Sequence, residues 1–124
     1  MAAFDAERVS RTVTGALAGP GGIALVINVF AGLPGVAHTA PRRGVFKSQP
    51  ARLQIGDWRY EVTPDDRLRA AHVVGGIVIG EEVLLAESVG PHLARSLGQI
   101  VARYGAGVIS NIDAAVDALI ASAG

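Results

Sequence analysis

The sequence predicts an α+β fold, in which an antiparallel sheet is packed by one N-terminal helix and two C-terminal helices. Apolar residues recur at helical spacing near both ends of the chain. Over residues of about 44–86, apolar and polar residues alternate in short runs, and turn residues separate these runs. Because the helical runs do not alternate with strands, a parallel βαβ arrangement is not indicated. We expect three to four strands in the sheet. The 124 residues contain no internal repeat, which predicts a single domain over residues 1–124.

The chain begins with a predicted helix over residues 4–18. Val9, Val13 and Leu17 stand four apart and form one apolar stripe on such a helix. Asp5 precedes the stripe and is suited to accept a hydrogen bond from the first turn as the N-cap. A glycine-rich segment then ends this helix.

The apolar run of residues 23–30 is ambiguous, because its pattern fits a buried strand as well as a buried helix. Pro20 suits the first helical position and Gly32 suits a left-handed C-terminal cap, which favours a helix over residues 20–31. The β-branched residues of the run favour a strand instead. We expect the helix.

Residues 51–62 carry the strongest local signal, a hairpin that turns at Gly56-Asp57. A glycine at the first position of a two-residue loop predicts a type II′ turn, and this turn sets the register of both strands. One face is then apolar, with Trp58 buried against the helices, and the other is polar. The predicted pairs are Ile55 with Trp58, Leu53 with Tyr60 and Ala51 with Val62 on the apolar face, and Gln54 with Arg59 and Arg52 with Glu61 on the polar face.

The segments on either side of this hairpin are less regular. Residues 36–50 are expected to form the longest loop, with a short strand at 44–47. Extended chain is predicted over residues 68–79, where Gly75-Gly76 permits either a tight turn or a bulge within one long strand. We interpret the glycine pair as a bulge or bend. Residues 83–86 fit either a short edge strand or the approach to the next helix.

Two helices are predicted in the C-terminal part of the chain. The first is expected to begin after Gly90-Pro91 and to end at Gly105, a suitable C-cap. The second is expected to begin at Ser110, which would act as its N-cap. The short link between them predicts antiparallel neighbours.

The composition limits the classes of partner and the cellular location. Eleven acidic and eleven basic residues balance, so the chain lacks the net positive charge that attracts nucleic acid or an anionic membrane. Without cysteine it can form neither a disulfide nor a thiolate zinc site, and a cytoplasmic location is expected. The apolar run of residues 23–31 is far too short to span a bilayer. Lys47 is the only lysine among many arginines, which suggests a bacterial gene of high GC content.

Trp58, Tyr60 and His72 are the candidate ligand-binding residues of the predicted sheet. The two aromatic rings would line an apolar pocket between sheet and helices, and His72 would make it more polar. A histidine satisfied by backbone groups is the alternative for His72. The spacing of His38, His72 and His92 is not that of metal ligands, so neither a metal nor a cofactor is predicted. We expect His92 to be solvated.

Arg42 and Arg43 are the candidate ligand-binding residues of the loop, where they would contact a phosphate or a carboxylate. A solvated loop is the alternative. The sequence contains neither a Gly-x-Ser-x-Gly elbow nor a glycine-rich nucleotide fingerprint, so no catalytic residue is assigned.

Two functions fit these observations. The first is a non-enzymatic accessory or interaction domain that forms a homo-oligomer, most simply a dimer, because half of the residues in this short chain are hydrophobic. The alternative is a small-molecule-binding domain or small enzyme, whose apolar pocket between sheet and helices takes a small apolar ligand. A filled core beside a flat two-fold interface favours the first function, and a pocket of several hundred Å³ favours the second. An unidentified protein partner is compatible with the first.

Overall fold

The computed structural model describes residues 4–39, 42–43, 48–49 and 51–123, and these form an α+β fold, as predicted. The elements in chain order are α1 (Ala6–Ala18), α2 (Gly22–Phe30), β1 (Val36–Thr39), β2 (Arg42–Arg43), β3 (Ser48–Gln49), β4 (Arg52–Ile55), β5 (Trp58–Val62), β6 (Leu68–Val74), β7 (Ile77–Leu84), α3 (Ala86–Tyr104) and α4 (Gly107–Ala123). The sheet has five antiparallel strands in the order β1-β4-β5-β6-β7, and β2 pairs with β3 in a separate ladder.

The sheet is larger than the three to four strands expected, because β1 forms within the predicted loop. Its four residues pair with β4, from Val36 opposite Ile55 to Thr39 opposite Arg52. The short strand predicted at residues 44–47 lies outside the described residues. The residues of Val36–Thr39 do not alternate between apolar and polar, so the sequence pattern does not indicate this strand, and it depends on pairing with β4.

The two N-terminal helices follow the sequence prediction, with two corrections. Pro20 is not the first helical residue, because α2 begins at Gly22. The Asp5 carboxylate accepts a hydrogen bond from the Arg8 N–H at 3.0 Å and caps α1, and α2 confirms that the ambiguous apolar run is helical. The proposed left-handed cap at Gly32 is wrong. Ala31 is still right-handed, and the chain reverses at Gly35, where φ is +81°.

The hairpin of β4 and β5 has the predicted register at every pair. Gly56 has a φ of +57°, whereas Asp57 does not take the positive φ that a type I′ turn requires, so the turn is of the predicted primed kind with glycine first. On the polar face the Arg52 guanidinium donates to the Glu61 carboxylate at 3.0 Å. On the other face Tyr60 is buried, but Trp58 is only half-buried.

Gly75-Gly76 forms a turn, so its interpretation as a bulge is wrong. Both glycines have positive φ, and Val74 lies opposite Ile77 where the chain reverses into β7. A bulge does occur nearby, because the register shifts between His72 and Val73 and leaves Ile79 as the extra residue of β7. Two adjacent glycines permit both geometries, and strand pairing selects the turn.

The helix α3 begins earlier than predicted, at Ala86, so Pro91 lies in its second turn. The ring removes one hydrogen bond, to the Glu87 carbonyl, near the helix start where the residue is exposed. Gly105 is the C-cap, as predicted. Ser110 is not an N-cap, because α4 begins at Gly107 and the Ser110 hydroxyl donates to the Gly107 carbonyl within the first turn.

The core lies between the helices and one face of the sheet. Leu53, Ile55 and Tyr60 of the central hairpin are fully buried there and join the apolar faces of α1 to α4 in one cluster. The opposite face carries Arg52, Glu61 and Arg69, in which the two guanidinium groups share one carboxylate. Of the helices in the described ranges, none has the length and apolar character needed to cross a membrane.

The contact of α1 with α3 depends on Gly90. A Cβ atom at this position would lie 2.5 Å from the Ser10 carbonyl oxygen, whereas a Cβ at Gly15 of α1 would meet no atom within 4 Å. We therefore expect Gly90→Ala to decrease the free energy of unfolding by about 1 to 3 kcal/mol, because the helices must separate. The matched control, Gly15→Ala, should increase it by up to about 1 kcal/mol through helix propensity. Urea denaturation measures both, and equal effects of the two variants would contradict the close crossing.

Candidate functional site

Trp58 and His72 meet on the face of the sheet that carries the helices. They lie directly opposite each other in the β5–β6 ladder, and their rings stack with centroids 4.6 Å apart and planes 13° from parallel. From α3 the His92 ring approaches the indole at 4.4 Å, nearly at a right angle. The fold thus brings together all three residues predicted in the sheet, because Tyr60 contacts the same imidazole.

Tyr60 joins the sheet to α3 through its buried hydroxyl. The oxygen lies 2.6 Å from His92 Nδ1 and is also hydrogen-bonded to the Ser96 hydroxyl. Burial raises the pKa of Tyr60 far above its ordinary value, so the phenol stays neutral. His92 and Ser96 reach one atom because residues four apart lie on the same face of a helix.

His92 is held as a neutral imidazole. Burial and the positive charge of Arg95 lower its pKa, and the negative charge of Glu82 opposes them only in part. The neutral imidazole, the phenol and the Ser96 hydroxyl can each donate or accept, so the Tyr60 oxygen is hydrogen-bonded to both neighbours in either tautomer of His92. Every buried side-chain nitrogen and oxygen of the described residues has a hydrogen-bond partner.

This network is built to hold two layers together. Activation of a serine as nucleophile requires a base within hydrogen-bond reach of its oxygen, but the Ser96 hydroxyl bonds to the neutral phenol of Tyr60. Over the described part of the chain, no group of three or more potential metal ligands converges. A satisfied polar network in a low-dielectric core fixes the relative position of sheet and helix.

A cleft of about 310 Å³ opens beside Trp58, and we call it the indole cleft. Trp58, Ala70 and His72 form its inner part, and β7 forms its outer wall. That wall is low, because Gly80 lies directly opposite His72 and has no side chain. The lining residues are Trp58, Ala70, His72, Ile79, Gly80, Glu81 and Glu82.

A second cavity, of about 460 Å³, lies between the start of α2 and the junction of β7 with α3. Its walls are mainly aliphatic, with Asp66 and Arg67 at one side. None of the residues predicted as a ligand site lines it.

The other site predictions have mixed outcomes. Arg42 and Arg43 form β2, opposite Gln49 and Ser48 of β3, but their side chains lie outside the described part, so their role stays a prediction. The prediction that His92 is solvated is wrong, because it is 6% exposed. The spacing of four between His92 and Ser96 indicated that the two residues share one face of the helix. This spacing does not show whether that face meets the sheet or water.

The fold and the site define a class of protein: an α+β domain whose sheet and helices are joined by a buried tyrosine, histidine and serine. Residues 1–121 match a family described as a domain of unknown function (DUF5073), and the chain belongs to that family. No curated protein and no solved structure matches the chain.

The hydroxyl of Tyr60 should be important for stability. We expect Tyr60→Phe to decrease the free energy of unfolding by about 1 to 3 kcal/mol, because the buried His92 Nδ1 and the Ser96 hydroxyl lose their shared partner. The control is Tyr104→Phe, which alters an exposed tyrosine and should change stability by less than about 0.5 kcal/mol. Chemical denaturation followed by circular dichroism measures both, and a neutral Tyr60→Phe would contradict the role of the network.

Stability should also decrease in mild acid. The pKa of His92 is lower in the folded chain than the ordinary value, so below about pH 6.5 the unfolded chain binds a proton that the folded chain resists. The contribution is fully present above that pH and is lost as the pH falls towards the folded-state pKa. Denaturation midpoints between about pH 8 and pH 5 measure the decline. His92→Gln should flatten it, whereas His38→Gln, at an exposed position on β1, should leave it unchanged.

Proposed function

We propose that this protein is a non-enzymatic interaction domain that forms a homodimer through the β6–β7 hairpin. The observation that supports this is the exposure of the hairpin arm, residues 73–79. Ile77 and Ile79 are 67% and 60% exposed, and Val74 and Val78 are also exposed. Burying aliphatic side chains is the main source of association free energy in proteins.

The hairpin arm is apolar on both faces. Val74 and Ile77 form one cross-strand pair, and Val73 and Val78 form the next, on the opposite side of the sheet. Strands that are apolar on both faces are normally covered on both. The arm exposes on the order of a few hundred Å² of apolar surface, the size at which a patch marks an interaction site.

The edge of β7 supports the same proposal. This strand is last in the sheet order, so one side of it presents unpaired backbone N–H and C=O groups. Natural edge strands are often protected by charged residues, proline or bulges. The strand β7 has a bulge at Ile79 and carboxylates at Glu81 and Glu82, but its residues 77–79 carry neither a charge nor a proline. A second copy is the partner that these features favour, because the net charge is zero and two identical chains approach without net repulsion.

The proposal also includes a cytoplasmic location and a bacterial origin. Both rest on the composition, namely the absence of cysteine and the preference for arginine over lysine. Neither nucleic acid nor a membrane is proposed as a partner, because the acidic and basic residues balance.

A second candidate function, small-molecule binding, is favoured by the size of the two cavities. Their volumes of about 310 and 460 Å³ lie within the range of ligand sites, and Trp58 and His72 line the smaller one. Native mass spectrometry of the protein purified from its own host separates the two functions. A dimer without adduct supports the interaction domain, and a retained small molecule supports the ligand site.

The hairpin arm can be tested with one charge. We expect Ile77→Glu to convert the wild-type dimer to a monomer, because a carboxylate at an apolar contact must be desolvated. The matched control is Ile120→Glu, on α4, which removes an isoleucine that is 51% exposed outside the arm and should leave the dimer intact. Sedimentation velocity at micromolar concentration measures the mass, and circular dichroism checks that both variants fold. A wild-type chain that sediments as 12.7 kDa at every concentration would disprove the proposal.

A further inference from the structure

We propose that the second copy pairs antiparallel with β7 about a two-fold axis between Ile79 and Gly80, and that it thereby closes the indole cleft. This inference rests on the proposed homodimer and specifies its geometry. Ile79 of each copy then lies opposite Gly80 of the other.

The bulge at Ile79 determines which side of the sheet each β7 residue shares. Gly80 and Glu82 lie opposite His72 and Ala70 on the helix side, and Ile77 lies opposite Val74 on that same side. Val78 and Glu81 are paired with Val73 and Ala71 on the other side. The Val73 N–H donates to the Asp57 carbonyl on the β5 side, so the backbone groups of His72 face β7. The two bulge residues, Ile79 and Gly80, therefore lie together opposite His72 and share its side of the sheet.

Residues directly opposite in a ladder lie on the same side of the sheet, and this restricts how two copies of β7 can pair. An axis between Ile79 and Gly80 satisfies the rule at every step, since it pairs Ile79 with Gly80, Val78 with Glu81 and Ile77 with Glu82. Moving the axis onto Gly80 places Ile79 opposite Glu81, on the wrong side. An axis at Val78 pairs only the tip of the arm.

The charges of β7 select the same register. Glu81 and Glu82 are its only charged residues, and an axis at either of them would place two identical carboxylates side by side. Like charges directly opposite in a ladder destabilise it. In the proposed register each carboxylate lies opposite an aliphatic residue at the sheet edge, where water still reaches it.

The shape of the indole cleft fits this partner. A Cβ atom added at Gly80 would meet nothing within 4 Å, so there is open space above the low outer wall. In the extended sheet, Ile79 of the second copy continues the row formed by Trp58, His72 and Gly80. Ile77 of the second copy continues the neighbouring row. Two of the most exposed aliphatic side chains thus fill the opening beside the indole.

The sequence makes the geometry testable, because the chain has no cysteine and a single tryptophan. In the double variant Val78→Cys with Glu81→Cys, the two positions are about 10 Å apart along one strand, too far for a disulfide within a chain. Across the proposed axis they lie opposite each other. We expect most of the oxidised protein to become a disulfide-linked dimer.

The matched control is Val78→Cys with Val83→Cys, whose positions lie on the same side of the sheet but are not opposite in this register. It should remain unlinked. Acrylamide quenching of Trp58 provides the second readout, and it should be weaker in the wild-type dimer than in the Ile77→Glu monomer. The emission maximum of the dimer should lie at the shorter wavelength.

The possible results distinguish the proposed pairing register of β7 from the formation of a homodimer. A dimer by sedimentation that links through the Val83 variant, or through neither variant, overturns this register and leaves the homodimer standing. Correct linking with unchanged quenching of Trp58 overturns the closure of the cleft. A monomeric wild-type chain without cross-links overturns the homodimer and this inference together.

Discussion

The hydrogen bond between the Tyr60 hydroxyl and the His92 imidazole is the interaction on which the arrangement of this protein depends. Tyr60 lies in the middle strand of the five, and His92 lies in the helix that begins directly after the last strand. A buried phenol or imidazole without a partner would cost several times the net gain of an ordinary hydrogen bond. The helix can therefore take few other positions over the sheet without leaving these groups unpaired. Ser96 adds a further restraint to the same oxygen.

The position of His92 in turn determines the surroundings of Trp58. The imidazole meets the indole at a right angle, and the stacked ring of His72 covers it from the neighbouring strand. The indole is therefore held by aromatic contacts on two sides and remains half-buried. The sheet extends beyond this cluster. In β7 the residues from Ile77 to Val83 are exposed, and Leu84 is buried. The indole cleft lies at this boundary between covered and uncovered sheet.

This boundary links the two candidate functions. The buried polar groups of Tyr60, His92 and Ser96 join the two layers, and the hairpin arm, apolar on both faces, lies outside them. These features are consistent with the proposed interaction domain. The cleft and the arm share Ile79, so any partner that covers the arm also changes access to Trp58. A ligand in the cleft and a second copy on β7 would compete for the same space.

The sequence by itself determined the elements whose causes are local. The hairpin of residues 51–62 was predicted to the residue, because a two-residue turn fixes which side chains are opposite and only one register collects the apolar ones on one face. The cap of α1 at Asp5 and the end of α3 at Gly105 are local in the same way.

Tertiary structure decided the rest. His92 has the sequence surroundings of a solvated residue, and its burial depends on which layer meets that face of α3. The apolar pattern of residues 73–79 would read the same in a buried strand, and only the position of the helices leaves it exposed. Whether a side chain is buried depends on which element packs against it. A pattern along the chain shows which side chains share a face of a helix or strand, but it does not show what covers that face.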